Sequence, residues 1–170
     1  MPKDIMKAVM KTALDMKQKV MKNASSRIKH NKPLLFSALS ANNISRVEVS
    51  FDGSGDSGQM EDAEFFRGVG SNEVQVDSKE NVGGVSVEGA LISNESTWNP
   101  EKKEWVYTTK TPTISELVES VCYDLLENNH GGWEINSGSF GKFVLDVEES
   151  QIALEYNERV EEVNEYNETY

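Results

Sequence analysis

Two short runs hold most of the residues that could do chemistry in this chain. Asp52, Ser54, Asp56 and Ser57 fall in Asp52-Gly53-Ser54-Gly55-Asp56-Ser57-Gly58, and His130, Trp133 and Glu134 fall in His130-Gly131-Gly132-Trp133-Glu134. In the first run, Asp52, Ser54 and Asp56 alternate as the first oxygen ligands of a calcium loop do. Such a turn would hold Mg²⁺ or Ca²⁺ on Asp52 and Asp56, with Glu61, Asp62 or Glu134 completing the shell. The rest of the loop departs from that pattern, because Ser57 stands where it needs glycine and Ala63 where it needs glutamate. The same Asp, Ser and Gly residues also build a tight turn, through local backbone bonding and positive φ.

Gly55-Asp56-Ser57-Gly58 spells the nucleophile motif of chymotrypsin-like serine proteases, whose serine requires a histidine base, an orienting aspartate and donors for the oxyanion. There the histidine and aspartate precede a late serine, whereas here the motif comes early and only His30 lies before it. The second run offers an imidazole, a broad apolar ring and a carboxylate beside flexible backbone, which suits a binding site. It equally suits a helix C-terminus whose histidine faces the last carbonyls and whose tryptophan covers the core edge. Cys122, eight residues before His130, invites a thiol nucleophile. It also falls in an apolar stripe with Val118 and Leu125, where a cysteine packs and does not react.

The elements that must position these residues follow from periodicity. Ile5, Met6, Val9, Met10, Ala13, Leu14, Val20 and Met21 recur at helical spacing, with Lys3, Lys7, Lys11 and Lys22 on the other side. Asn23-Ala24-Ser25-Ser26 interrupts this helix, and Pro33 suits the first turn of a second one, ended by Asn42-Asn43. Val47, Val49 and Phe51 alternate as a half-buried strand leading into the Asp52–Gly58 turn, a loop or hairpin apex. Val74/Val76, Val85/Val87 with Leu91, and Trp105/Tyr107 predict short strands. Thr113 with Glu116 forms a capping box before an apolar stripe from Leu117 to Leu126, which predicts a helix over 114–128. Phe143/Leu145/Val147 and Ile152/Leu154/Tyr156 predict a closing hairpin around Glu148–Gln151. The expected fold class is α+β: N-terminal helices, a mostly antiparallel sheet, and the 114–128 helix packed on one face.

Charge divides the chain. Residues 1–32 carry nine Lys or Arg against two acids, while residues 33–170 carry eight against twenty-seven, so a formal charge of −12 conceals a basic arm on an acidic body. The expected organisation is a basic amphipathic arm over 1–32, one α+β domain over 33–160, and an acidic tail over 161–170. For the arm, core packing, dimerisation, an anionic surface and a membrane surface all fit its pattern, with Lys7, Met10, Lys11 and Leu14 as its partner-binding residues. Its lysines could also meet the chain's own acidic tail. The acidic body disfavours general nucleic-acid binding, except through the arm. One cysteine excludes an internal disulfide and a cysteine zinc cluster, and no apolar run is long enough for a signal peptide or a membrane span. A cytoplasmic protein fits this usage.

Several blocks together resemble a family catalogued only as a domain of unknown function, found in bacterial, plasmid and phage genomes. They are Phe51-Asp52-Gly53 through Gly58, Tyr123–Glu127 with His130–Glu134, Gly138, Gly141, Asp146-Val147, and Tyr156-Asn157-Glu158-Arg159. The resemblance implies a bacterial or mobile-element origin and an intracellular location, and supplies no reaction, cofactor or catalytic residue. It adds Asn157 and Arg159 to the candidate site. Two functions remain open on the residues. One is a non-catalytic protein that binds a partner protein through its acidic surface, in its sharper form an inhibitor that mimics nucleic acid. The other is a metal-dependent enzyme or small-ligand domain whose pocket joins the Asp52–Ser57 and His130–Glu134 turns.

Overall fold

The structure, a computed structural model, describes residues 3–77 and 80–169, and all of their side chains except those of 3–8 and 93–95. Three helices and eight strands form an α+β fold, as expected: α1 Lys3–Met21, α2 Ala24–Ala41, β1 Arg46–Ser54, β2 Ser57–Met60, β3 Glu64–Arg67, β4 Val74–Gln75, β5 Ile92–Asn99, β6 Glu104–Lys110, α3 Ile114–Asn129, β7 Ser139–Asp146 and β8 Gln151–Glu158. No helix among the described residues is long and apolar enough to cross a membrane.

β1 is the hub of the main sheet, whose order is β4-β3-β1-β7-β8. Its nine residues pair with β7 along one side, and on the other side with β3 over Arg46–Glu48 and then β2 over Phe51–Ser54. Its inward residues Val47, Val49 and Phe51 meet Phe143 and Leu145 of β7 and are covered by α2 and α3 through Leu35, Leu39, Leu117, Val118 and Val121. α3 begins where the capping box predicts, with Thr113 Oγ1 accepting from the Glu116 N–H and the Glu116 carboxylate accepting from the Thr113 N–H. β7 and β8 close as an antiparallel hairpin with Asp146 opposite Gln151, so the turn is Val147–Ser150, one residue earlier than the sequence suggests.

Three expectations require correction. Pro33 does not open a helix; it sits inside α2, which starts nine residues earlier because Asn23 caps it, its side chain accepting from the Ser26 N–H at 3.1 Å. The cap outweighs the single hydrogen bond that a proline removes, and the arm boundary at residue 32 therefore falls inside a continuous helix. Val85, Val87 and Leu91 form no strand, only a bridge between Ser86 and Thr113. The second sheet is instead the hairpin β5–β6: Trp105 and Tyr107 lie in β6 as their alternation predicts, whereas β5 was not revealed because a bulge between Ser93 and Glu95 shifts its register.

The hairpin is tied to the helices by two amide side chains acting like short strand edges. Asn31, fully buried on α2, donates to the Leu91 carbonyl at 2.8 Å and accepts from the Leu91 N–H at 2.9 Å. Gln18 on α1 makes the same pair with Tyr107, at 2.9 and 3.1 Å. Arg27 at the start of α2 grips Asp124 of α3 with two nitrogens and also donates to the Met21 carbonyl at 2.6 Å, which fixes the α1–α2 corner.

Two outcomes follow from these contacts. Asn31→Leu strands a buried donor and acceptor at Leu91 and lowers stability by about 1–3 kcal/mol, read as a lower urea midpoint at unchanged m-value. Lys110 and the Thr113 N–H hold the Glu116 carboxyl below the usual carboxylate range. Its contribution is therefore full above that range and lost as pH falls through the lowered folded value. Glu116→Gln lowers the melting temperature at pH 7 and flattens its decline on acidification, whereas an unchanged acid limb would contradict the assignment.

Candidate functional site

The two sequence runs meet in space. The first is a hairpin apex: Ser54 faces Ser57, and the two-residue loop Gly55-Asp56 has φ of +59° and +65°, the left-handed pattern of a type I′ turn. Gly53 and Gly58 face each other across this hairpin and leave a bare strip of backbone. Trp133, only 4% exposed, lies on that strip; a Cβ at Gly53 would stand 2.7 Å from its ring, and one at Gly58 closer still. Phe51 meets the indole edge-on at a centroid distance of 5.6 Å, and Tyr123 closes another side at 6.2 Å.

Backbone bonds then sew the loop to the hairpin. The Gly55 N–H donates to the Asn136 carbonyl at 2.9 Å, the Asp56 N–H to the Glu134 carbonyl at 3.1 Å, and the Ser139 hydroxyl to the Trp133 carbonyl at 2.7 Å. Arg159, just past β8, completes the joint. It donates to the Gly53 carbonyl at 2.9 Å and to Asp52 at 2.7 Å, while its guanidinium lies 4.8 Å from the Phe140 ring centre. His130 caps α3 through its backbone and stacks on Tyr156 at 3.9 Å. Asn157 donates to the Phe140 carbonyl at 3.4 Å.

All nine candidate residues thus lie in one joint, but Trp133 and Arg159 fill the space between its two turns, and a cavity of only about 200 Å³ is left beside Trp133, Gly138 and Tyr156. Asp52 faces the Arg159 cation, Ser54 is a strand residue, and Asp56 stands alone at the apex, so the alternating oxygens do not converge as calcium-loop ligands. Among the described residues, no group of three or more His, Cys, Asp or Glu is placed to hold a metal ion. The Ser57 hydroxyl donates to the Ser54 carbonyl at 3.4 Å, while His30 bonds the Gly89 carbonyl at 2.8 Å from α2 and His130 is stacked on Tyr156. The geometry therefore gives Ser57 no histidine base. Cys122 is wholly buried, and burial with the nearby Glu119 charge pushes its thiol well above the usual range, which makes it packing and not a nucleophile. The Trp133 Nε1 and Glu134 Oε2 atoms are buried without a protein hydrogen-bond partner.

Sequence reasoning missed a second feature. An open groove of about 1,150 Å³ runs along the β2–β3 edge to the start of α3, and Glu48, Glu61, Asp62, Glu64 and Asp77 line it. Glu61, Asp62 and Ala63 are the break between β2 and β3, and Phe65, Val76 and Val82 add apolar floor. None of the described lining residues is Lys or Arg. At one end Glu48 pairs with Arg46 and, at 3.0 Å, with Lys142. Arg46 also grips Glu73, whose carboxyl it holds below the usual range. These acids are scattered over thirty positions of sequence without period, so their only signal was the local excess of carboxylates.

A family model described as a family of unknown function (DUF6878) matches residues 27–170. The chain belongs to this family. No curated protein and no solved structure matches it. The DUF6878 stretch takes in the whole joint, the whole groove and Arg27, whose guanidinium binds Asp124; α1 lies before it.

The joint predicts an asymmetric mutational response. Trp133→Ala opens a cavity under five connected segments and costs about 3–5 kcal/mol. Asp52→Ala removes an ion pair whose carboxylate is 58% exposed, and costs less than about 1 kcal/mol. Chemical denaturation of the two variants checks this, and equal losses would contradict a filled joint.

Proposed function

We propose that this DUF6878 protein is a binding module for a basic polypeptide surface and works without catalysing a reaction. The observation that carries this reading is the groove: five carboxylates line one concave surface, with no Lys or Arg among its described lining residues. Carboxylates along a concave wall focus negative potential and speed the arrival of a cationic partner. The apolar floor at Phe65, Val76 and Val82 suits the aliphatic stems of Lys and Arg. The acidic body as a whole, with twenty-seven acids against eight bases over residues 33–170, adds long-range attraction of the same sign.

In its sharper form, the partner is a protein whose basic groove binds nucleic acid, and the carboxylates occupy it in place of phosphates. The blocks that resemble a bacterial, plasmid and phage family support a home in bacterial cytoplasm or in mobile elements. The alternative, a metal-dependent or small-ligand site at the two turns, is the weaker reading because Trp133 and Arg159 already fill the space between them.

A fluorescent Lys/Arg-rich peptide titrated into the full chain tests the proposal. Binding should weaken steeply with added salt and fall by about tenfold or more in Glu61→Lys/Asp62→Lys, while Glu161→Gln/Glu162→Gln/Glu165→Gln in the tail leaves it nearly unchanged. Equal binding by the parent chain and the groove variant would sink the reading.

A further inference from the structure

α1 leaves one broad face without a partner. Its C-terminal end is anchored by Met21, by the Gln18–Tyr107 bonds and by Lys22 to Glu104 at 3.0 Å. Beyond that anchor, Val9, Met10, Leu14 and Met16 are 57–66% exposed. At 100° per residue they fall in one arc with Ala13, with Lys17 inside it and Lys11 and Lys19 on its two borders. Exposed apolar clusters rimmed by charge mark interaction surfaces. The side chain of Lys7, also expected on this arm, lies outside the described ones.

The opposite end of the chain carries the complementary pattern. After β8, Val160, Val163 and Tyr166 are 82–86% exposed and recur at every third position, with Glu161, Glu162 and Glu165 between them. Three apolar residues so spaced share one side of a helix or of a polyproline path. The acids on this segment match the lysines on α1, whereas two copies of α1 packed together would bring Lys17 against Lys17. Within one chain both faces stay uncovered. The root of the segment is held elsewhere, by the Arg159 N–H on the Gly138 carbonyl at 3.0 Å and by Ser137 on Glu161 at 2.8 Å.

We propose that the protein forms a two-fold dimer in which the acidic 160–166 segment of each copy lies on the basic α1 face of the other. Val160, Val163 and Tyr166 cover the arc from Val9 to Met16, and the glutamates meet Lys11, Lys17 and Lys19. The two-fold axis makes the contact twice, so each copy both gives and receives a segment. These surfaces are separate from the acidic groove, and the dimer stands or falls independently of what the groove binds.

Sedimentation velocity of the full chain, from about 1 to 200 µM at low and high salt, tests this together with two charge-reversed variants. The variants are Lys11→Glu/Lys17→Glu/Lys19→Glu and Glu161→Lys/Glu162→Lys/Glu165→Lys, all at positions away from the core, with far-UV circular dichroism confirming that each stays folded. The parent chain should dimerise in a salt-sensitive way, each variant alone should be monomeric, and an equimolar mixture should restore the dimer, because both of its contacts are again opposite in charge. A monomeric parent at the highest concentration would overturn the proposal. So would a tail variant that still dimerises, which would put α1 on another surface such as the groove, tested by Glu61→Lys/Asp62→Lys. A mixture that stays monomeric would also overturn it, because the charge-restored contacts would then not be the ones that join the two copies.

Discussion

The seat of Trp133 on the bare backbone of Gly53 and Gly58 is the contact on which the rest of this structure turns. A large indole can approach a two-stranded ribbon this closely only where both facing residues lack a Cβ. Once seated, it joins the end of β1 and the start of β2 to the loop after α3, and through the Ser139 hydroxyl to the first residue of β7. Arg159 then draws the end of β8 onto the same place through the Gly53 carbonyl. The indole also extends the main core, since it meets Phe51 edge-on and Phe51 in turn packs against Phe143. The residues with the most chemical promise in the sequence are thus used to hold five segments together.

The surfaces away from this joint are divided by charge. The groove at the β2–β3 break is acidic, the segment after β8 is acidic and apolar, and α1 is basic and apolar. The helices do not simply lie beside the sheet, because Asn31 and Gln18 reach across to the β5–β6 hairpin and satisfy its backbone as a neighbouring strand would. α1 is therefore positioned at its C-terminal end while the arc from Val9 to Met16 stays exposed. Trp98 and Trp105, edge-on at 5.6 Å and half exposed, lie on the same hairpin.

Elements governed by local chemistry were legible in the sequence. α3 showed its capping box and stripe, and β1, β7 and β8 showed alternation because one face of each is buried or, in β8, half-buried. α2 was misplaced because a proline was weighed above the asparagine that caps the helix ten residues before it. β3 escaped notice because Phe65 and Phe66 are adjacent and break the alternation, and β5 because its bulge does the same. The candidate residues were recognised, but their relations were not. The Arg159–Asp52 pair spans 107 positions, and no local pattern announces that an arginine and a tryptophan will occupy the space between two inviting turns. The groove has no periodic signature, since its acids come from three separate stretches of chain.

The central claim is that the Trp133 joint is a filled structural contact and that ligands bind elsewhere. The indole N–H signals of the three tryptophans, followed by nitrogen–proton NMR during additions of Mg²⁺, Ca²⁺ and then a Lys-rich peptide, test it most directly. The account predicts that the Trp133 indole exchanges slowly with solvent and does not move in any titration, that the Trp98 and Trp105 indoles exchange fast, and that backbone signals at Glu61, Asp62 and Glu64 shift with the peptide. A saturable shift of the Trp133 indole with either cation, while the groove signals stay still, would contradict it.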